Sequence, residues 1–276
     1  MGLRIATNIA SETVQKNIKE VSSTSNTELE RLSSGKRITK AGDDAAGLAI
    51  AKNLEAQTRS LRQASRNAND GISMVQTAEG SLNEVSNVLV RLRELSIQSA
   101  SDTIGDAERG MLNLEYQELS KEVDRIAAST EFNGVHLLDG EGSGVLDFHV
   151  GAKNGEQNII QYDAGQTNAS SSNIGLSGTG VESKSEALSS VSSIDEAITV
   201  ISGQRASLGA IQNRLSHTVS TLESQALNQE HARSVIEDAD VADSAAKLAS
   251  ANVIKNAGIS ALAQANMIPN SALKLI

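Results

Sequence analysis

The chain has 276 residues, 39% of them hydrophobic, and a formal net charge of −10, enough for the core of one or two domains. An acidic chain is a poor ligand for nucleic acid, whose phosphates need clustered Lys and Arg. The absence of Cys excludes disulfides and thiol-based zinc sites, and an aromatic content of 1% without Trp counts against a small-molecule pocket.

The opening residues, MGLRIATNIAS, lack the apolar core of a secretory signal peptide. No stretch approaches the roughly 20 apolar residues that span a bilayer, so membrane insertion is not expected. The first helix is predicted over 3–32, where Val14, Ile18, Val21, Leu29 and Leu32 recur at spacings of three and four and Ser25 interrupts the stripe. Gly35 is its stop signal. Lys36, Arg37 and Lys40 make a basic loop, and Gly42-Asp43-Asp44 reads as a turn and N-cap for the next helix.

That second helix is predicted from about Asp44 to Ser99, roughly 80 Å at 1.5 Å per residue. Leu54, Leu61, Ala68, Val75, Leu82 and Leu89 fall seven residues apart along it. Such a repeat describes a long helix joined along a narrow seam. After a polar break at 101–106 a third helix carries Leu112, Tyr116, Leu119, Val123 and Ile126. Near Thr130 the period changes to two: FNGVHLLDG, GVLDFHVG and NIIQYD read as short strands and hairpins. Residues 164–185, rich in Ser, Gly, Asn and Thr, read as an exposed loop.

A fourth helix, about Glu186 to Gln229, repeats the seven-residue pattern with Ile194, Ile201, Leu208, Leu215 and Leu222. The last, about Asp240 to Gln264, is Ala-rich with Leu248, Val253, Ile254, Ile259 and Leu262, and Pro269 precedes a short apolar tail. The fold class is therefore mainly α: a long antiparallel coiled-coil bundle with a small β-hairpin region. Isolated helices are marginal in water, so the first and last helices are expected to pair. Ile5, Ile9, Val14, Ile18, Val21, Leu248, Ile254, Leu262, Ile268 and Leu273 are the expected packing residues, and Ile5, Ile9, Leu262, Ile268 and Leu273 leave apolar surface for other subunits.

Chemistry-bearing patterns are sparse. His136, His149, His217 and His231 are scattered without an HExxH pair, so neither a metal nor any other cofactor is expected. Asp43-Asp44 and the acidic run Glu237-Asp238-Asp240 fit helix capping better than cation binding. Gly140-x-Gly142-x-Gly144 lacks the spacing and following helix of a phosphate loop and reads as a hairpin turn. Asn168-Ala169-Ser170 matches an N-glycosylation sequon, a short and weak pattern.

LERLSSGKRITKAGDDAAGLAIA (residues 29–51) resembles the signature of bacterial flagellins. VLVRLRELSIQSA (88–100), EFNGVHLLDG (131–140), FHVGAKNGEQNIIQYD, SLGAIQNRL (207–215) and the tail IEDADVADSAAKLASANVIKNAGISALAQANMIPNSALKLI are similar to further segments of that family, in order and over nearly the whole chain. The resemblance implies two layers. Residues 1–42 with 237–276 form a terminal inner-core domain, and 43–178 with 179–236 form a helical rod with its β-region at about 130–180. It is a short form without outer variable domains.

The resemblance also implies a non-enzymatic homopolymer, the extracellular filament of the flagellum. Subunits are secreted unfolded by type III export and fold on docking at the tip. An export chaperone acts through the C-terminal helix, and filament cap and hook-associated proteins are further partners. Small shifts between packed subunits switch the filament's helical form, with the β-region as the proposed switch element. Arg91, Leu95 and Glu115 match positions that Toll-like receptor 5 contacts in recognised members, although Val90 and Glu118 stand where many of these have Gln. Ser170, Ser171 and Ser172 are implied sites for O-linked sugars. The rivals are a hook–filament junction protein, which shares the terminal helices, and a secreted coiled-coil adhesin or effector, for which the short middle leaves little room. An enzyme is the least supported reading.

Overall fold

The computed structural model describes residues 7–140 and 144–273, with side chains described to Met267. The described residues form five helices: α1 (Ile9–Ser34), α2 (Ala45–Ser99), α3 (Asp106–Ser129), α4 (Lys184–Glu237) and α5 (Val241–Leu273). Four short strands, β1 (Glu131–Phe132), β2 (Val135–His136), β3 (Val145–His149) and β4 (Ile159–Asp163), lie between α3 and α4. The chain divides into two compact units, Met1–Gln57 with Leu227–Ile276 and Thr58–Ala226, and the division falls within α2 and α4.

In the unit over 58–226 the seven-residue repeats of α2 and α4 are the core. Leu61, Ala68, Val75, Leu82 and Leu89 are buried, as are Ile194, Ile201, Leu208, Leu215 and Leu222. α3 adds Tyr116, Val123 and Ala127 to the same apolar cluster. The last carbonyls of α2 need donors once the helix ends. The buried Arg109 supplies one, its Nε donating to Ser99 O at 2.9 Å, and its Nη2 ties the following turn at Ser101 O at 3.0 Å. A cation at a helix C-terminus is the favourable sign there.

β1 and β2 pair antiparallel through Asn133-Gly134, both at positive φ (52° and 77°), the requirement of a tight two-residue hairpin. β3 and β4 pair with Leu146 opposite Tyr162 and Phe148 opposite Ile160. The ring of Phe148 lies on α2 where Gly71 has no side chain; a Cβ there would sit 3.1 Å from it. Tyr162 is buried, and its hydroxyl donates to Leu137 O at 3.1 Å.

Three expectations need correction. The stretch read as an exposed loop at 164–185 packs on the core: Ala164, Thr167, Ala169, Ile174, Leu176 and Val181 are all buried. Its backbone is tied down as well, with Ser99 Oγ donating to Val181 O at 2.6 Å and Gln204 Nε2 to Asn168 O at 3.0 Å. Second, α4 runs on to Glu237, beyond Gln229. Third, α5 continues through Pro269 to Leu273 instead of stopping at Gln264.

In the other unit α1 ends at Gly35, whose φ of 70° is the left-handed conformation that favours glycine. Asp44 caps α2, its Oδ1 accepting Gly47 N at 2.8 Å. Asp43 organises the preceding turn. Its Oδ2 accepts the backbone N–H groups of Lys40 and Thr39, which hold the carboxyl below its ordinary pKa.

Candidate assembly interface

α1 and α5 pack antiparallel against each other. Their less exposed residues form two complementary seven-residue series. On α1 these are Ser11, Val14, Ile18, Val21, Ser25, Glu28 and Leu32; on α5 they are Ser244, Leu248, Ala251, Lys255, Gly258, Leu262 and Ala265. Ser25 thus belongs to the seam and does not interrupt it. The helices approach closely: a Cβ on Gly258 would lie 2.9 Å from Ile18 Cγ1. Most seam positions are small or polar, so the pair buries little apolar area per turn.

Polar contacts reinforce the seam. Asn8 Oδ1 accepts Ser11 N at 3.1 Å, capping α1, and Ser11 Oγ donates to Asn266 Oδ1 at 2.9 Å. The buried Glu28 pairs with Arg31 at 2.9 Å. At the other end Lys36 Nζ pairs with the buried Glu237, Arg37 N donates to Glu237 O at 2.7 Å, and Ala239 N donates to Gly35 O at 3.0 Å.

Of the packing residues expected from sequence, Val14, Ile18, Val21, Leu248 and Leu262 are half-buried in the seam. Ile9 and Ile254 stand outside it, 56% and 53% exposed, and Val253 and Ile259 are exposed with them. Ile5 lies outside the described residues, and the side chains of Ile268 and Leu273 do also.

Arg91 and Glu115 are exposed and meet each other, Nη2 to Oε1 at 2.8 Å, and Arg91 also bonds Glu94. These carboxylates raise the Arg91 pKa, the Glu115 hydrogen bond most. Leu95 differs from its two companions: it is fully buried in the core and offers no surface to a partner. Met111 and Leu114 on α3 are, by contrast, each 70% exposed. Ser171 is partly held by Asp124, which accepts its N and its Oγ at 2.8 Å, and Ser170 Oγ donates to Asn168 Oδ1 at 2.7 Å. Ser172 is the exposed member of the three.

Among the described residues no group of three or more His, Asp or Glu is placed to hold a metal ion. No described helix is long and apolar enough to cross a membrane. An open cleft of about 520 Å³ between α2 and the end of α3 is lined by Glu84, Glu122, Arg125 and Ser129, without a nucleophile and base set against each other.

The family model described as the bacterial flagellin N-terminal helical region matches residues 5–143, and that for the bacterial flagellin C-terminal helical region matches 191–276. A flagellin of Halalkalibacterium halodurans is 42% identical over 248 residues, covering 90% of each chain. The flagellar filament core protein flaB2 of Brachyspira hyodysenteriae is 38% identical over 283 residues, covering 99% of each. Among solved structures, Bacillus cereus flagellin matches with a TM-score of 0.51 and 28% identity, over 61% of this chain and 94% of that one. A putative flagellar hook-associated protein of Vibrio parahaemolyticus, 16% identical with a TM-score of 0.58, over 70% of this chain and 99% of that one, shares the fold.

Proposed function

This chain belongs to the bacterial flagellin family and is a structural, non-enzymatic subunit of the flagellar filament, and from that premise we propose that α1 and α5 are the segments that join copy to copy. The observation that carries this is the division of labour on α5. Its small and half-buried residues face α1, while Val253, Ile254 and Ile259 remain exposed, as does Ile9 on α1. A lone helical pair with such a seam is marginal. Neighbouring copies in a homopolymer supply the missing apolar contacts through a heterologous interface that does not close.

Residues 1–42 with 237–276 then form the inner layer and 43–236 the outer rod. The chain travels unfolded by the flagellar type III route and folds as it docks, which its lack of Cys permits. An export chaperone holds the α5 segment in transit, and cap and hook-associated proteins meet the subunit at the ends of the filament. Arg91 and Glu115 present a polar surface to Toll-like receptor 5, with Leu95 acting only as packing beneath them. Absence of monomer binding to the receptor at micromolar concentration would reject that part. Ser172 is the serine of its trio best placed to accept a sugar.

The test is electron microscopy of the purified chain after seeding with short filament fragments, beside a variant lacking residues 237–276. Long filaments from the full chain alone support assembly through the terminal helices. A folded monomer that never elongates points instead to a junction or accessory role.

A further inference from the structure

The α1–α5 seam contains one carbonyl unlike its neighbours. Pro269 lies within α5 and has no backbone N–H, so the Ala265 carbonyl four residues earlier has no helical donor. That carbonyl accepts Asn8 Nδ2 at 2.9 Å. The same side chain, through Oδ1, caps the first turn of α1. One amide therefore completes two interrupted hydrogen-bond ladders, on segments 257 positions apart in sequence. Ala265 and Ser11 are both buried, and the two hydrogen bonds of Asn8 are partly shielded from solvent.

Elsewhere the register is held by shape and by contacts at the far end: Gly258 leaves room for Ile18, and Lys36 and Arg37 hold Glu237. Near the start of α1 the seam residues Ser11 and Ala265 are small, so apolar packing adds little to the choice of register at that end. A polar group with a single matching partner is the device by which coiled coils choose one register. Pro269 creates that partner by leaving the Ala265 carbonyl without its helical donor.

We infer that Asn8 and Pro269 together form a register latch. The proline opens a catch on α5, the asparagine amide engages it, and the first turn of α1 is completed only when α5 lies in the correct register. The latch rests on the α1–α5 pairing; its consequence for assembly rests on the filament reading.

The test compares four full-length chains assembled on seeds: the parent, Asn8→Asp, Pro269→Ala and the double variant. Aspartate keeps the N-cap acceptor and adds a charge favourable at a helix N-terminus, but removes the donor to Ala265. A purely capping role for Asn8 therefore predicts no loss. The latch predicts that amides of Ser11–Thr13 exchange about fivefold faster in Asn8→Asp, the scale of one net hydrogen bond. With Pro269→Ala the Ala265 carbonyl regains a helical donor, and Asn8→Asp then changes exchange less than about twofold.

The same ratio in both backgrounds, or no effect of Asn8→Asp, would overturn the latch. Loss of assembly in Asn8→Asp that Pro269→Ala restores supports it, and loss that Pro269→Ala leaves in place contradicts it. If the parent itself forms no filaments the filament reading fails, and the same four chains are compared as monomers.

Discussion

Gly35, at φ 70° with open space around its Cα, ends α1 by conformation alone. Gly35→Ala brings no clash, only the strain of a left-handed alanine, and should lower stability by about 1 kcal/mol in urea unfolding. The two tyrosines report on a different kind of constraint. Burial pushes both hydroxyls above the ordinary tyrosine range, and each donates or shares a hydrogen bond inside the unit over 58–226. A group whose folded value is raised contributes stability that is fully present below its unfolded value and is lost as pH rises through the folded one. These are the only tyrosines and there is no Trp, so ultraviolet titration sees them without background. Tyrosinate should appear above the ordinary pKa of about 10 and together with loss of helix signal. Ionisation at the ordinary value in a fully helical chain would contradict the burial of Tyr116 and Tyr162.

Among the elements, the long seams hold the unit over 58–226 together, and their strength should be readable one residue at a time. Leu208→Ala removes a fully buried seam residue and should cost about 2–5 kcal/mol, measured as a shift in the urea midpoint. Seams of this kind are what sequence reveals best. The repeats from Leu61 to Leu89 and from Ile194 to Leu222 all proved buried, and the turn at Gly42-Asp44 started α2 within a residue of its expected position. Other features depend on contacts between distant residues. Ala169, Ile174, Leu176 and Val181 are isolated among Ser, Gly and Thr, so no period marks them as core. α5 passes Pro269 with Asn8, at the far end of the sequence, donating to the carbonyl that the proline leaves unpaired. Ser25 looks like an interruption because α1 places small polar residues at seam positions as readily as apolar ones. Leu95 shares a motif with Arg91 and lies one turn further along α2, but it falls inside the buried stripe with Leu92 and Ser96, whereas Arg91 stands at the edge of that stripe. Motif resemblance locates a segment, whereas the place of each side chain within or at the edge of the buried stripe decides whether it reaches the surface.

For the molecule as a whole, the demands of the free chain and of the assembly can be separated on α5. Ile254 and Ile259 are 53% and 52% exposed and lie outside the seam with α1. A polar substitution at such positions usually changes monomer stability by no more than about 0.5 kcal/mol. If a neighbouring copy covers them, the same aspartates would be buried without partners, at a penalty of several kcal/mol per charge before any relaxation. Ile254→Asp with Ile259→Asp should therefore leave the monomer's circular dichroism unchanged and abolish elongation from seeds. Ile254→Leu with Ile259→Leu should elongate as the parent does. Because a heterologous contact pairs different surfaces of the two copies, the aspartate chain should also act as a terminator when mixed with parent, shortening filaments in proportion to its fraction. Filaments of ordinary length from the aspartate chain would mean that this face stays open in the assembly, and that the copies join elsewhere on the molecule.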